Sequence, residues 1–222
     1  MKLRNQLCYA NHMQKKHIIT ISGKPGSGKS STADKVAEML GYTRHSSGDM
    51  VRAILRREKM TLAEYNAKAL SDHNLDSKID EYLRELRNQE DVVIDSRLGF
   101  YWIPESFKVY LDLDIQVATV RIYKDAVSNN MRSKGGELVE SLDTAAKQVK
   151  ARMETERKRF KELYNVDPYN REHFDLIIDT ARHSPQTVAL TVFDTYRRWL
   201  KTETWKQELS AIPLGYSFKS DY

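Results

Sequence analysis

The sequence contains one cysteine, Cys8, among its 222 residues, and this scarcity excludes two kinds of site. A single thiol cannot form an internal disulfide, and it cannot supply a cysteine-based zinc centre. Because chains without disulfides are typical of the reducing interior of cells, we expect a cytoplasmic protein. No apolar run approaches the roughly 20 residues that a membrane-spanning helix needs, and residues 1–16 are basic without the apolar core of a secretory signal.

Internal repeats and low-complexity linkers are also missing, which favours a single domain. We predict that this domain spans residues 17–200, between a flexible extension at residues 1–16 and a C-terminal extension at residues 201–222. The formal net charge of +5 is compatible with nucleic-acid binding or with a site that gathers several phosphates. Basic residues are not concentrated in one run with interleaved aromatics, so we expect phosphates, and neither nucleic acid nor a membrane, as partners.

One stretch organises the rest of the chain, because it fits the P-loop pattern G-x-x-x-x-G-K-[ST]. Its residues are Gly23, Lys24, Pro25, Gly26, Ser27, Gly28, Lys29 and Ser30. An apolar, β-branched run at residues 17–22 precedes it and a segment with helical spacing, residues 31–40, follows it. Strand, loop and helix are the context that the motif requires, which argues against the alternative of a glycine-rich turn with an incidental lysine.

The loop predicts a binding site for ATP. Its glycines allow backbone conformations that a Cβ would block, so successive N–H groups can face phosphate oxygens at a helix N-terminus. Lys29 is expected to reach the β- and γ-phosphates, and Ser30 to ligate Mg²⁺ through its hydroxyl. We include Ser31, the next residue, among the predicted ATP-binding residues.

A second apolar run, residues 91–95, ends in a carboxylate, Asp95. Ligands of an open parallel sheet bind beyond the carboxyl ends of its strands, so Asp95 is expected beside the metal of the P-loop. Arg97, two residues further on, reaches the same cleft.

Residues 41–47 are predicted to form another short strand, and between it and the strand at residues 91–95 lies a helical insert, predicted at residues 50–59, 61–71 and 75–88. Ser47 or Asp49 is expected to cap its first helix, and Arg52 on the first turn faces either an incoming anion or solvent. Thr61 and Glu64 have the spacing of a capping box. Because the insert exceeds a simple crossover helix, we expect a flap over the site.

Three further groups of charged residues are candidates for the site. Asp76 and Asp80 lie one helical turn apart, and they either recognise a polar ligand or form a solvated acidic face. Arg152, Glu156 and Arg159 share one face of a long helix predicted at residues 142–164, as lid residues or as a solvated salt-bridged face. The third candidate is Arg121, on a helix predicted at residues 115–131. After this helix, Gly135-Gly136 indicates a lid tip or an ordinary turn.

These motifs come in the order seen in nucleoside monophosphate kinases: the P-loop, then residues 46–52, then residues 93–97. The later part of the chain resembles the short, archaeal-type cytidylate kinases. The features that carry this resemblance are Asp76-x-x-x-Asp80, Arg97-Leu98, Arg159-Phe160, Tyr164-x-x-Asp167 and residues 174–180. The resemblance covers roughly residues 17–200.

The resemblance implies an α/β fold of five parallel strands with helices on both faces, an acceptor-binding insert at about residues 50–90 and a lid at about residues 125–150. Arg52 and Arg97 would grip the acceptor monophosphate, and Asp49 and Asp95 would hold Mg²⁺ through water. Arg121, Arg152 and Arg159 would approach the transferring phosphoryl group or the acceptor from the lid side.

The same resemblance gives Glu156 a role. In bacterial cytidylate kinases an Arg-x-x-x-Asp-x-x-Arg helix contacts the pyrimidine nucleotide, and residues 152–159 are similar, with glutamate for aspartate. Two departures concern the choice of base more than the reaction. Many archaeal-type members have threonine in place of Lys29, and residues 123–125 stand where a second lid arginine is often seen.

The expected reaction is therefore transfer of a phosphoryl group from ATP to a nucleoside monophosphate, most simply CMP or dCMP, with Mg²⁺. The predicted catalytic residues are Lys29, Arg97, Arg152 and Arg159. The predicted acceptor-binding residues are Asp49, Arg52, Asp76, Asp80, Arg97, Arg121 and Glu156, and the predicted metal ligands are Ser30, Asp49 and Asp95. An adenylate-kinase-like or other small-molecule kinase, and a nucleotide-gated RNA- or protein-binding module, are the alternatives. A monomer is expected, with a dimer left open.

Overall fold

A parallel sheet forms the centre of the protein, whose computed structural model describes residues 15–69, 74–128, 141–202 and 207–209. Six strands, all parallel to their neighbours, are ordered β2-β3-β1-β4-β5-β6 across the sheet. The strands are β1 (Ile18–Gly23), β2 (Thr43–Ser46), β3 (Val92–Asp95), β4 (Phe107–Asp112), β5 (Leu176–Asp179) and β6 (Gln207–Leu209). The predicted fold class is confirmed, but the predicted count of five strands is one too low. Residues 207–209, within the predicted C-terminal extension, pair with β5, and a three-residue strand is too short to produce a readable pattern.

The helices follow the predicted order. They are α1 (Lys29–Leu40), α2 (Ser47–Glu58), α3 (Leu62–Ala69), α4 (Asn74–Leu86), α5 (Gly99–Trp102), α6 (Ile115–Ser128), α7 (Leu142–Tyr164) and α8 (Pro185–Trp199). A 3₁₀ turn, Arg171–His173, precedes β5. The insert of α2, α3 and α4 lies where it was expected. The predicted lid tip at Gly135-Gly136 lies outside the described residues.

Local capping sets where the insert helices begin. Ser46, rather than the predicted Ser47 or Asp49, caps α2: its hydroxyl oxygen accepts from the backbone N–H of Asp49 at 3.2 Å. Because Ser46 is the last residue of β2 and still extended, the strand passes directly into the helix without a loop. The capping box is confirmed, since Thr61 N donates to Glu64 Oε2 at 2.7 Å and Glu64 N donates to Thr61 Oγ1 at 3.1 Å.

The sheet is covered on both faces, and every residue of its central strand β1 is buried. Ile19 and Ile21 pack with Val36 of α1 and Val192 of α8 on one side. Ile18 belongs to a second cluster, which also contains Tyr65, Leu83 and Ile94 and joins the insert to the sheet. A third cluster packs α7 against β4 and β5. The insert and α7 are thus both anchored on the sheet, and α7 has a buried face.

No helix of the described residues is long and apolar enough to cross a membrane.

Phe107 provides a test of the core, because it is fully buried and its ring lies 5.8 Å from that of Tyr196 and 5.3 Å from that of Trp199. Phe107→Ala should lower the free energy of unfolding by about 3–5 kcal/mol, measured by urea denaturation. Val127→Ala, at a position that is 63% exposed, is the control and should change it by less than about 0.5 kcal/mol. Equal small effects at the two positions would contradict the packing described here.

Candidate active site

The P-loop crosses the carboxyl end of β1 in close contact with β4. Gly23 has φ +147°, and a Cβ at this position would lie 2.2 Å from the carbonyl oxygen of Leu111, so no other residue fits. Gly28 has φ +86° and occupies the N-cap position of α1. The loop therefore delivers its N–H groups to the start of α1, where the helix dipole favours an anion.

Lys29, the first residue of α1, folds back over this loop. Its Nζ donates to the carbonyl oxygens of Gly23 and Lys24, at 3.1 Å each. Burial lowers the pKa of Lys29 well below its usual value, and the neighbouring Arg97 guanidinium lowers it further. An anion at the loop would oppose both effects, because it favours the charged form of Lys29.

Ser30 and Asp95 form the part of the site that suits a metal. Ser30 Oγ donates to Asp95 Oδ2 at 2.7 Å, and Asp95 is a buried residue at the end of β3. Mg²⁺ prefers oxygen ligands and usually keeps several waters while it binds one or two protein groups and the phosphates of a substrate. The hydroxyl and the carboxylate fit this pattern. The described residues contain no group of three histidine, cysteine or carboxylate side chains that would hold a metal by themselves.

Asp49, the third predicted metal ligand, is engaged with arginines. Its carboxylate accepts from Arg44 Nη1 at 2.8 Å and from Arg52, one turn along α2. Burial would raise the pKa of Asp49, but the bonds from Arg52 and Arg44 outweigh it and lower the pKa below its usual value. The structure thus brings Asp49 together with Arg44 and Arg52.

Arg44 is a residue of the site that the sequence pattern did not reveal. Its guanidinium also lies 3.1 Å from Asp34 and 3.5 Å from Asp95 Oδ2, so it links the metal-side carboxylate to Asp49. An isolated arginine on a short strand carries no periodic signal. Only its place on β2, beside α1, would have suggested this contact.

Arg97 joins the P-loop to the long helix α7. Its Nη1 donates to the carbonyl oxygen of Gly23, and its Nε donates to Glu156 Oε2 at 2.7 Å. Glu156 Oε1 accepts from Arg152 Nε at 3.0 Å, and Tyr169, which sequence reasoning missed, donates its hydroxyl to the same carboxylate. One carboxylate therefore holds two guanidinium groups beside the loop.

The electrostatics of this cluster follow from its burial. Burial alone would raise the pKa of Glu156, but Arg97 and Arg152 outweigh it and hold the pKa far below its usual range. Burial likewise acts to lower the pKa of Arg97, and the Glu156 carboxylate more than offsets it, so the net shift is upward. Glu156 is 5% exposed, which excludes at this position the alternative of a solvated salt-bridged face on α7.

Asp76 and Asp80 are also buried, at 5% and 6% exposure, which excludes the solvated acidic face. Asp76 accepts from the Tyr65 hydroxyl at 3.3 Å and lies 3.5 Å from Arg159 Nε. The side chain of Arg159 therefore connects α7 to the insert.

Asp80 uses both of its carboxylate oxygens for contacts between helices. They accept from Trp102 Nε1 at 3.1 Å and from the Tyr164 hydroxyl at 2.5 Å. Burial raises the pKa of Asp80, and the bond from Tyr164 opposes the rise without cancelling it. Asp80 therefore fastens α4 to α5 and α7.

Arg121, which was predicted to bind the acceptor, contacts the P-loop and the loop after β5. Its Nη2 donates to the carbonyl oxygens of Thr180 and Ala181, at 2.7 and 3.1 Å, and its Nη1 donates to that of Gly26 at 3.5 Å. These contacts lie on the P-loop and on the loop after β5. The physical reason is the path of α6, which leaves the end of β4 beside β5.

A model of the cytidylate kinase-like family matches residues 18–182, about three quarters of the chain. The chain belongs to this family. The predicted resemblance is thereby confirmed, and the protein is a kinase, that is, a phosphotransferase.

Individual relatives agree with the family match. The chain is 35% identical to a cytidylate kinase of Halobacterium salinarum over 181 residues, which are 80% of this chain and 88% of that protein. It is 30% identical to a cytidylate kinase of Methanobrevibacter smithii, over 81% of this chain and 98% of that protein. Among solved structures, a shikimate kinase from Acinetobacter baumannii is similar, with a TM-score of 0.54 at 16% identity, covering 84% of this chain and 96% of that chain. This last likeness concerns the fold alone.

Glu156 gives the kinase a pH dependence of stability that can be measured. Its pKa is lower in the folded protein than the unfolded value of about 4.3, so its contribution is present above that pH and is lost as the pH falls below it. Glu156→Gln should lower the free energy of unfolding by about 3 kcal/mol at pH 7. The difference from wild type should shrink by up to about 1.4 kcal/mol for each pH unit below 4.3.

Denaturant unfolding at pH 7, 4 and 3 measures this difference. Glu162→Gln, on an exposed position of the same helix, is the matched control and should change stability by less than about 1 kcal/mol at each pH. A Glu156→Gln deficit that stays constant between pH 7 and pH 3 would show that the lowered pKa is not the cause.

Proposed function

We propose that the kinase transfers the γ-phosphoryl group of ATP to CMP or dCMP, giving ADP and the nucleoside diphosphate. The observation that carries this proposal is the position of Arg97, which contacts the P-loop carbonyl of Gly23 and the Glu156 carboxylate of α7 at once. A guanidinium at this point stands between a donor bound by the loop and an acceptor bound under the insert. Phosphoryl transfer needs such positioning and charge neutralisation more than it needs covalent chemistry.

On the donor side, the loop N–H groups and Lys29 would bind the β- and γ-phosphates. Ser30 and Asp95 would hold Mg²⁺, which neutralises charge on these phosphates when it is bound. Residues 23–31 are all included in this proposal. The contacts of Arg121 with Gly26 and with the loop after β5 support a donor-side role for it, in place of the predicted acceptor role.

On the acceptor side, Arg52 and Arg97 would bind the monophosphate. Arg152, which already shares Glu156 with Arg97, would contact the transferring group, and so would Arg159 from the next turns of α7. These four guanidinium groups lie on three elements: α2, the loop after β3, and α7. Each of them is paired with a carboxylate, and a phosphate anion would compete for the same donors. Asp80 is better described as a residue that holds α4 against α5 and α7 than as a ligand of the acceptor.

The buried carboxylates on the acceptor side support a preference for cytosine over uracil. The exocyclic amine of cytosine is a hydrogen-bond donor, whereas uracil has a carbonyl oxygen at the same position. A buried carboxylate such as Asp76 would accept from the first and repel the second, whereas both oxygens of Glu156 already accept from Arg97, Arg152 and Tyr169. The relatives named cytidylate kinases support the same choice. The family match gives no support to a nucleotide-gated RNA- or protein-binding module.

An acceptor panel tests the proposal. ADP formation from ATP and Mg²⁺ is measured with CMP, dCMP, UMP, AMP, GMP and shikimate, each over a range of concentrations. We expect kcat/KM for CMP or dCMP to exceed that for UMP by at least about tenfold, because an unpaired buried carboxylate costs about 1–3 kcal/mol. The value for CMP or dCMP should also exceed those for AMP, GMP and shikimate, in line with the relatives named cytidylate kinases. A higher value for AMP or for shikimate would contradict the proposed acceptor while leaving the donor site in place.

Lys29→Ala tests the donor site. The ammonium lies over the loop and would stabilise the transferring phosphoryl group, so its removal should lower kcat by about a hundredfold or more. Lys35→Ala, on the same helix but outside the loop, is the control and should leave kcat within about twofold. Turnover of Lys29→Ala close to that of the control would remove the loop from the donor role.

A further inference from the structure

Strand β6 lies beyond the segment that the family model matches, and nothing in the sequence indicated a role for it. It pairs with β5 in parallel register, with Leu176 opposite Gln207 and Ile178 opposite Leu209. Glu208, the middle residue of the strand, forms an ion pair with Arg171 of the 3₁₀ turn. The edge of the sheet is therefore tied by charge to the turn that precedes β5.

Arg171 faces a second carboxylate, that of Asp112 at the end of β4. Arg171 Nη1 lies 3.7 Å from Asp112 Oδ2. The other oxygen, Oδ1, accepts from the backbone N–H of Leu113 at 2.8 Å and lies 2.6 Å from Nζ of Lys24. Asp112 is thus oriented by the backbone and placed between two cations on different elements.

Lys24 belongs to the P-loop, and its backbone is coupled to Lys29. Lys24 N donates to the carbonyl oxygen of Leu111 at 3.2 Å, and Lys24 O accepts from Lys29 Nζ at 3.1 Å. Because Gly23 already touches Leu111, the first half of the loop rests on the end of β4. A shift of the Lys24 side chain would therefore change the position of an oxygen that holds the Lys29 ammonium.

We propose that Asp112 is a positioning residue for the P-loop, and that β6 supports it through a chain of alternating charges, Glu208–Arg171–Asp112–Lys24. The proposal rests on the proposed use of this loop for ATP. The Lys24–Asp112 pair is the stronger link, since its side chains are 27% and 20% exposed, whereas those of Arg171 and Glu208 are 48% and 55% exposed. Exposed pairs contribute little, so the outer link should have the smaller effect.

The test is a double-mutant cycle on the full chain. Binding of Mg²⁺ with a non-hydrolysable ATP analogue is measured by calorimetry for wild type, Asp112→Asn, Glu208→Gln and the double variant. We expect the Kd to rise about tenfold for Asp112→Asn and about two- to threefold for Glu208→Gln. Because the two residues act through one chain, the double variant should bind no more weakly than Asp112→Asn alone.

Kinetics separate positioning from a general loss of structure. KM for ATP should rise in step with the Kd, while KM for CMP and the thermal midpoint stay close to those of wild type. Glu172→Gln, the exposed neighbour of Arg171, is the matched control and should leave the Kd unchanged.

If Asp112→Asn does not fold, Arg171→Gln on the exposed turn takes its place, with an expected two- to threefold rise in Kd. An Arg171→Gln value equal to that of wild type would overturn the proposal.

Three further outcomes would overturn the inference. Tighter binding by Asp112→Asn would mean that Lys24 is a phosphate ligand that Asp112 restrains. Multiplicative effects in the double variant would mean that Glu208 and Asp112 are not coupled. A wild-type chain that fails to bind the analogue would remove the proposed donor site as well. A wild-type chain that binds the analogue but prefers another acceptor affects only the proposed choice of CMP.

Discussion

The site depends on the buried contact between Glu156 and two arginines, Arg97 and Arg152. Two guanidinium groups would repel each other in a half-buried cleft, and one carboxylate with a strongly lowered pKa holds them together. Arg97 then reaches the carbonyl oxygen of Gly23, so it joins the Glu156 cluster to the P-loop. A kinase of this kind must bring two anions into contact, and under the proposed function this cluster would supply the positive charge at the point where they meet.

The sheet explains why the cluster forms where it does. The P-loop begins at the end of β1, and Asp95 and Asp112 are the last residues of β3 and β4, so all three lie at the same edge of the parallel sheet. The insert and α7 cover one face of the sheet, and Asp80 and Asp76 connect the two through Tyr164 and Arg159. Charged residues at helix spacing thus became buried because α7 packs on the sheet through Phe160 and its neighbours.

Much of this organisation was predictable from the sequence, because it depends on patterns. The P-loop, the strand ending in Asp95, the capping box of Thr61 and Glu64, and the bounds of α7 all follow from local spacing. The contacts that were missed are long-range. Tyr169 reaches Glu156 from a loop after α7, and Arg44 reaches Asp95 across the sheet, and neither has a local signal. The contacts of Arg121 with Gly26 and Thr180 depend on the path of α6, which sequence order alone does not specify. Strand β6 was too short to recognise.

The central proposal is that the loop amides bind the phosphates of ATP while Arg97 and Arg152 contact the acceptor monophosphate or the transferring phosphoryl group. The most direct measurement is a crystal structure with Mg²⁺ and a bisubstrate analogue that joins adenosine and cytidine through a phosphate chain. The account predicts phosphates against residues 23–30, with Arg97 and Arg152 in contact with the part of the chain nearest cytidine. Phosphates bound away from the loop, or both arginines still engaged only with Glu156, would contradict it.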